Sequence, residues 1–390
     1  MFYYLPLMSD NIEKDDIASV INFLSQPSVP KLTNGRMVED FEKAWSEWLG
    51  VKYSIFVNSG SSANELTMLA LKYLTHGGKI IVPPLTWVSD IASVIQNGFI
   101  PVFCDINLKN LSFDIEKLKA LITPDVKAIF VTHILGQNAL TNELLEICKK
   151  NSILLIEDVC ESHGATFKGK KCGTFGIISN FSFYFAHHMS TIEGGMISTD
   201  NPFLYQLCRM FRSHGMLRES NDPELIYEVR AKYPNLNQDF IFLYPAHNHR
   251  STEINAVLGL SQLKKLDSVI ATRRANFEYF LSKLNKEKYF TEFDLEGQSN
   301  YAFILVLKNP KYTTRNKIEY ELAINGIEFR RGLSGGGNQL LQPYIKENFL
   351  VNHNQFPVIN HIHDFSWYIG NYPSLEKDKI DKLVEILNNI

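Results

Sequence analysis

The sequence has no stretch that would cross a membrane and no concentration of basic charge. No apolar run approaches the ~18 residues of a membrane helix, and the start, MFYYLPLMSDNIEKDD, lacks the basic segment and apolar core of a signal peptide. The 39 Lys+Arg and 42 Asp+Glu residues are spread along the chain and give a formal net charge of -3. A basic stripe for nucleic acid is therefore absent. These features predict a cytoplasmic globular protein with neither a nucleic-acid nor a membrane partner.

Cysteines are few and scattered. The five cysteines form no CxxC pair, and only Cys208 follows Cys172. Disulfide frameworks, zinc sites and iron–sulfur clusters all require grouped cysteines. We therefore expect no disulfide-stabilised fold and no metal.

Short β-branched runs alternate with helical segments over the first two-thirds of the chain. The runs are YSIFV, KIIVPP, IPVFCDI, VKAIFVTHI and SILLIEDV. Segments between them, such as SANELTMLALKYL, have helical periodicity. This alternation is typical of parallel strands covered by helices on both faces, which predicts an α/β layered domain. Ligands bind beyond the carboxyl ends of such strands.

Three residue groups follow these runs. After YSIFV, Gly60 permits a turn and a helix starts at Ser61 or Ser62, which suits a phosphate site or an ordinary serine cap. Trp87 follows KIIVPP and could stack on a planar ligand or belong to the core. Asp158 ends SILLIEDV, where it could face a cation or cap the next turn. Together, a phosphate cradle, a stacking aromatic and an acid for a ring nitrogen predict a pyridoxal phosphate site.

Motifs in a fixed order extend this interpretation over most of the chain. They are LTNGRMVEDFEKAW, SGSSAN, PPLTWVSD, EDVCESHGA, FSFYFAHHMSTIEGG, RSHG, HNHRSTEINAVLGLSQLKKL and GIEFRR. Their sequence resembles the DegT/DnrJ/EryC1/StrS family of sugar aminotransferases and related enzymes. The resemblance implies the type I, aspartate aminotransferase-like fold, with a mostly parallel sheet flanked by helices and a smaller C-terminal α+β domain.

The domain limits follow from the same resemblance. We expect a large cofactor-binding domain with an N-terminal arm at residues 1–265 and a small domain at residues 266–390. A long helical stretch at 251–284 leads from one to the other, and YAFILVL, residues 301–307, reads as a strand of the small domain.

The resemblance also implies roles for individual residues. It assigns the cofactor phosphate to Gly60, Ser61 and Ser182, the ring face to Trp87 and the ring nitrogen to Asp158. Glu161 stands where relatives often have a glutamine near the ring hydroxyl. Asn248 matches an asparagine that reaches the partner's phosphate, which implies a homodimer with two shared active sites.

Three arginines are candidates for holding a carboxylate or a nucleotide phosphate. Arg212, Arg250 and Arg330 could each make bidentate contacts with such a group. Each could equally form a surface or helix-terminal ion pair.

A histidine stands where aminotransferases of this family have a lysine. In those relatives the lysine follows the phenylalanine of S-F by four residues and precedes the glutamate of E-G-G by six. Phe183 and Glu193 keep this register here, so His187 takes the lysine position, and the adjacent His188 is a candidate to contact substrate. Histidine cannot bind pyridoxal phosphate covalently, so pyridoxal or pyridoxamine phosphate is expected to be held non-covalently. Imidazole, with an unperturbed pKa near ~6.5, is a competent base near neutral pH.

Members with this lysine-to-histidine change resemble sugar 3-dehydratases, of which there are two kinds. One acts on CDP-linked sugars and carries an iron–sulfur cluster, and the other acts on a GDP-linked 4-keto-6-deoxy sugar without a metal. The scattered cysteines favour the second kind. The resemblance therefore implies removal of the C3 hydroxyl from a nucleotide sugar, with L-glutamate as amino donor, for dideoxy-sugar biosynthesis. Because the metal-free kind acts on a GDP-linked sugar, the resemblance favours GDP as the nucleotide. His187 would first remove a proton and then assist loss of the hydroxyl.

Two alternatives remain open at this stage. In a sugar aminotransferase, Lys170 or Lys171 would donate the proton, although both also suit a solvated turn. A non-catalytic scaffold would bind pyridoxal phosphate without reacting with glutamate. The sequence determines neither the nucleotide nor the length of the sugar.

Overall fold

The computed structural model describes residues 3–8 and 12–390. The strands are β1 (Tyr53–Val57), β2 (Lys79–Val82), β3 (Ile100–Phe103), β4 (Val126–Thr132), β5 (Leu154–Asp158), β6 (Thr166–Phe167), β7 (Lys170–Lys171), β8 (Ile178–Ser182), β9 (Gly195–Thr199), β10 (Ala302–Val306), β11 (Phe329–Arg331) and β12 (Ser366–Gly370). Seven of them form one sheet in the order β1-β9-β8-β5-β4-β2-β3. Strand β9 is antiparallel to both of its neighbours, and the other pairs are parallel.

Helices cover both faces of this sheet, and the C-terminal helices pack on the strands β10, β11 and β12 and on one another. They are α1 (Lys14–Leu24), α2 (Arg36–Leu49), α3 (Gly60–Thr75), α4 (Val88–Gln96), α5 (Ile115–Ala120), α6 (Asn142–Asn151), α7 (Pro202–Arg212), α8 (Pro223–Lys232), α9 (Glu253–Leu263), α10 (Leu266–Lys283), α11 (Tyr312–Ile324), α12 (Pro343–Lys346), α13 (Pro357–Phe365) and α14 (Lys377–Asn388). Strands β8 and β9 are buried at every residue, as expected of a sheet covered on both sides. The predicted mostly parallel sheet flanked by helices is confirmed.

The long helix predicted at 251–284 is instead two helices. The chain tightens between α9 and α10, where the backbone N–H of Lys265 donates to Gln262 O at 3.0 Å. The ammonium of Lys265 then binds carboxylates of the α1 region, at 2.8 Å from Asp15 Oδ1 and 3.1 Å from Asp16 Oδ2. Lys265, which lies at this break, thus links α1 to the rest of the large domain.

The C-terminal region has a small antiparallel sheet in the order β10-β12-β11. Helix α10 begins at Leu266, so the domain limit that we propose coincides with the start of this helix. Apolar side chains of both parts, such as Phe130 and Trp367, belong to one continuous buried cluster. The two parts are therefore packed together through this cluster.

Within the described ranges, no helix combines the length and the apolar character needed to cross a membrane.

Candidate active site

The first turn of α3 packs closely against the end of β8. A Cβ on Gly60 would lie 2.6 Å from the Cβ of Ser182 and 3.1 Å from the Sγ of Cys160, so only glycine fits here. Helix α3 begins at Gly60, one residue earlier than predicted, and Ser59 caps it through the N–H of Ser62 at 3.0 Å. The N–H groups of Gly60 and Ser61 have no acceptor within the helix, which suits an anion such as a phosphate.

Asp158 is the last residue of β5 and is 3% exposed. Its Oδ1 accepts the N–H of Cys160 at 2.9 Å, and its Oδ2 lies 3.1 Å from the Nδ2 of Asn64 in α3. Asn64 Oδ1 and Asn180 Nδ2 are buried beside it without a hydrogen-bond partner in the described part of the chain. This side of β5 therefore has a carboxylate and polar atoms that a bound group could contact.

A second aspartate, which was not predicted from the sequence, lies beside Asp158. Asp90 in α4 accepts hydrogen bonds from Asn64 at 2.6 Å and from Thr132 at 2.9 Å, and it also contacts Thr86. The position of Asp90 four residues after Thr86, at a helix start, is the one local signal that could have identified this pair.

Trp87 precedes α4 and exposes 53% of its surface at the same edge of the sheet. A core tryptophan would be enclosed, so its exposure favours the alternative in which the indole meets a ligand. Tyr184, which follows β8, is also exposed there. Stacking of Trp87 on a ring stays a prediction.

His187 lies in the loop between β8 and β9 and is partly exposed. Its backbone N–H donates to Tyr184 O at 3.0 Å, and its ring centroid is 5.5 Å from that of Tyr301 and 6.0 Å from that of His163. The loop is held by the N–H of Thr191, which donates to Phe183 O at 2.9 Å. These contacts fix the imidazole of His187, which the motif spacing equates with the lysine of aminotransferases.

The surroundings of His187 favour its neutral form. Burial lowers the pKa of His187 to about 3, and the positive charge of Arg273 lowers it further. Arg273 is buried and donates to the carbonyl oxygens of Tyr301, at 2.8 Å, and Asn371. An imidazole in this setting is unprotonated at neutral pH, and its lowered pKa makes it a weaker base than free imidazole.

The structure corrects the predicted substrate role of His188. This side chain is fully buried, and its Nε2 lies 3.0 Å from the carbonyl oxygen of Ser299. Burial is the main reason that the pKa of His188 is lowered well below its ordinary value. The two adjacent histidines therefore differ, since His188 is fully buried and His187 is partly exposed.

Glu161 lies where the large domain meets the small one. Its Oε2 accepts the N–H of Leu135 at 2.9 Å, and its Oε1 accepts the hydroxyl of Ser334 at 2.7 Å. Burial raises the pKa of Glu161 to about 7, against the lowering effect of these two hydrogen bonds. Its predicted place near a ring hydroxyl stays a prediction.

Arg212 and Arg330 are both engaged in ion pairs. Arg212 is buried, and its Nη1 donates to the carboxylate of Glu42 and to Phe56 O at 3.0 Å. Arg212 is the last residue of α7, so the structure favours the helix-terminal ion pair, one of the two alternatives that the sequence left open. Arg330 in β11 is exposed and lies 3.2 Å from Glu328 Oε1.

The segment around Asn248 alternates between two directions. His249 points back to α3, with its Nδ1 3.2 Å from the hydroxyl of Ser62. Asn248 is exposed, and its Oδ1 accepts the Nε–H of Arg250 at 3.0 Å. Asn248 and Arg250 thus form a polar pair on the outer side of this segment.

The lysines of the aminotransferase alternative lie in the β6–β7 hairpin. Lys171 Nζ donates to Trp48 O at 2.6 Å and lies 4.7 Å from the centre of the Trp48 ring. Lys170 is exposed. Since Lys171 is fixed on Trp48, the contact gives no support to its role as a proton donor beside His187.

This chain has the fold of the aminotransferases that use pyridoxal phosphate. The solved structure of a GDP-4-keto-6-deoxymannose-3-dehydratase with a trapped PLP-glutamate geminal diamine matches it with a TM-score of 0.89 and 30% identity, covering 98% of this chain and 100% of the other. A model of the DegT/DnrJ/EryC1/StrS aminotransferase family matches residues 10–388. The chain belongs to that family, as predicted from its motifs.

Two relatives are similar over most of their length. A GDP-4-keto-6-deoxy-D-mannose 3-dehydratase of Escherichia coli O55:H7 is 32% identical over 390 residues, which cover 97% of each chain. A GDP-perosamine synthase of Caulobacter vibrioides is 34% identical over 300 residues, or 76% of each chain. The comparisons therefore include both a dehydratase and an amino-sugar synthase.

Proposed function

We propose that this protein removes the C3 hydroxyl of a GDP-linked 4-keto-6-deoxy sugar with pyridoxal phosphate as cofactor and L-glutamate as amino donor. The observation that carries this proposal is His187 at the lysine position of the family, in a chain with no lysine between Lys171 and Lys232. The relative that matches nearly the whole chain is named a 3-dehydratase of a GDP-linked sugar. Both relatives described above carry GDP in their names.

The residues at the edge of the sheet fit this cofactor. The start of α3 with Gly60 and Ser61, together with Ser182, would hold its phosphate, and Asp158 would face its ring nitrogen beneath Trp87. When bound, the cofactor supplies an amine for the sugar ketone and a ring that accepts electrons. Asp158, as a buried anion, would keep that ring nitrogen protonated. The absence of a lysine leaves these non-covalent contacts to retain the cofactor.

His187 would move the proton of the reaction. Its neutral imidazole would first accept a proton as a general base. The resulting imidazolium would then donate that proton to the departing C3 hydroxyl. Burial and the charge of Arg273 hold the pKa of His187 at about 3, so the base form dominates at neutral pH. The same environment makes the imidazolium a strong acid, which favours delivery of the proton to the hydroxyl.

We propose a homodimer in which each subunit completes the site of the other. Asn248 and Arg250 face outward, whereas the intervening His249 contacts the α3 of its own chain. Exposed apolar side chains on the same segment, Phe240 and Phe242, would be covered by a partner subunit. The dimer predicts that Asn248→Ala weakens cofactor binding while the single-chain contacts of α3 remain. A cytoplasmic location, expected from the sequence, stays a prediction.

The decisive experiment identifies the product by mass spectrometry. Purified protein, pyridoxal phosphate and glutamate are incubated with GDP-, CDP-, dTDP- and UDP-linked 4-keto-6-deoxy sugars. A product lighter by one oxygen, formed with 2-oxoglutarate and ammonia, is expected for the GDP-linked sugar. An amino sugar would instead identify an aminotransferase, and absence of 2-oxoglutarate in every reaction would identify a non-catalytic scaffold.

The variant His187→Asn tests the assigned base. It should retain the absorbance of bound cofactor and lose deoxygenation. His76→Asn is a matched control, because His76 is exposed and has a φ of 58°, which asparagine tolerates. Full turnover by His187→Asn would assign the proton transfer to another residue.

A further inference from the structure

Asp90 lies beside Asp158 and has no part in the reaction proposed above. It is 1% exposed, and Asn64 Nδ2 lies 2.6 Å from Asp90 Oδ1 and 3.1 Å from Asp158 Oδ2. One amide group therefore joins two buried carboxyl groups. No lysine, arginine or histidine of residues 3–8 and 12–390 forms an ion pair with either carboxyl. Two such groups without a cation cannot both be ionised cheaply, so one must hold a proton.

The hydroxyl groups around Asp90 indicate which carboxyl is protonated. Asp90 Oδ2 contacts the hydroxyls of Thr86 and of Thr132, the second at 2.9 Å, and the two hydroxyl oxygens are 2.8 Å apart. These oxygen–oxygen contacts form a closed triangle that needs three hydrogens, whereas two hydroxyls supply two. If both hydroxyls donated to Asp90, their lone pairs would face each other. A proton on Asp90 Oδ2 places one hydrogen in every contact.

Asp158 has the opposite surroundings. Its oxygens accept from the N–H of Cys160 and from the amide of Asn64, and both donors favour an ionised carboxylate. Burial raises the pKa of Asp90 well above its ordinary value, and the nearby charge of Asp158 raises it further. The proton therefore belongs on Asp90 and the charge on Asp158.

We propose that Asp90 is a protonated positioning residue that fixes Asn64 and leaves Asp158 as the ionised member of the pair. Because Asp90 is neutral, Asp158 does not experience the repulsion of a second buried negative charge beside it. The consequence for the ring nitrogen rests on the proposed function, but the location of the proton does not.

Infrared spectroscopy of the cofactor-free protein locates the proton directly. When aspartate is labelled with ¹³C in its side-chain carboxyl, the carbonyl band of a protonated aspartate shifts. It is then resolved from the band of a protonated Glu161, which carries no label. The wild-type protein should show one buried band at neutral pH, Asp90→Asn should lose it, and Asp158→Asn should keep it. A band that disappears in Asp158→Asn, or is absent from the wild-type protein, would overturn the proposal.

Cofactor titration tests the positioning role with a conservative variant. Asparagine at position 90 keeps a donor for the threonines and an acceptor for Asn64, so Asp90→Asn should bind pyridoxal phosphate within about twofold of wild type. Asp90→Leu removes these hydrogen bonds and should weaken binding about tenfold. Equal losses in the two variants would overturn the positioning role. If Asp90→Leu does not fold, the titration of Asp90→Asn carries this test, and binding weakened about tenfold in that variant would overturn it.

The two readouts separate this proposal from the proposed function. The infrared band is measured without cofactor or sugar, so it is observed even if the protein is not a dehydratase. Conversely, a confirmed dehydratase whose band does not follow Asp90 would leave the enzyme assigned and this inference rejected.

Discussion

Two neighbouring carboxylates at the end of β5 face opposite sides of the sheet and meet different environments. Glu157 accepts the backbone N–H groups of Gly173, Phe175 and Gly176 at 2.7 to 2.9 Å, and the Nε2 of His133 lies 3.2 Å from it. Chief among the causes that lower the pKa of Glu157 against its burial is the hydrogen bond from His133. This carboxylate is fully enclosed by donors from its own chain.

Glu157, His133 and Cys172 form a cluster that supports the fold, because its polar atoms are hydrogen-bonded within the chain. His133 Nδ1 accepts the N–H of Ala139 at 3.1 Å, so its Nε2 carries the hydrogen that points to Glu157. Cys172 is also close, and these three side chains have the spacing of metal ligands. Because their atoms already take part in hydrogen bonds, we propose no metal at this position.

Asp158, one residue later, accepts hydrogen bonds from fewer donors, and a second carboxyl group, that of Asp90, lies beside it. Asn64 serves both Asp158 and Asp90, and polar atoms of Asn64 and Asn180 remain without partners in the part of the chain that the structure describes. The difference teaches that a buried acid with complete hydrogen bonding supports the fold, whereas one with incomplete hydrogen bonding indicates a ligand site.

The largest expected effect is a loss of activity when Asp158, the acid with incomplete hydrogen bonding, is made neutral. Asp158→Asn should lower kcat/KM about 10³-fold, because the ring nitrogen of the proposed cofactor would lose its anionic partner. The melting temperature of the cofactor-free protein should be unchanged or higher, since a buried charge is removed. Turnover assays and calorimetry check both results, and a large drop in melting temperature would contradict the functional assignment.

The matched change at Glu157, whose hydrogen bonding is complete, should affect stability instead of activity. Glu157→Gln places an amide NH₂ against backbone N–H groups and should lower the free energy of unfolding by about 3 kcal/mol. Urea denaturation measures this loss. The kcat of the fraction that remains folded should equal that of wild type, and a loss of kcat without a loss of stability would remove the contrast between the two sides.

The pH dependence of stability should have opposite signs on the two sides. The pKa of Glu157 is lowered in the folded protein, so its contribution is present above the unfolded pKa and is lost as pH falls through the folded pKa. The pKa of Asp90 is raised, so the folded protein retains a proton that the unfolded chain releases. Stability then decreases as pH rises, by up to about 1.4 kcal/mol per pH unit.

Variants separate these two contributions. Between about pH 5 and about pH 7, the stability of Asp90→Asn relative to wild type should increase with pH, whereas that of Glu157→Gln should stay constant and recover only below about pH 4.5. Urea denaturation at several pH values provides the data. Parallel curves for the two variants would show that the acids have the same protonation behaviour.

Most elements that carry the site are recognisable in the sequence. The first five strands were predicted within a few residues, because each is a short β-branched run between helices. His187 was found through the spacing from Phe183 to Glu193, which is local in the chain. The sequence left a substrate contact and an ion pair open for Arg212, because its ion-pair partner Glu42 lies 170 residues away in sequence.

By itself, the sequence determined the α/β alternation, the family and the histidine in place of lysine, because periodicity and motif spacing depend on residues close together in the chain. Only the tertiary structure decided which acids are satisfied. Asp158 meets Asn64 across 94 residues, and Glu157 meets the loop at 173–176 on the other face of the sheet. The hydrogen bonding of a buried polar group depends on which distant segments fold against it, and no local pattern of residues records that outcome.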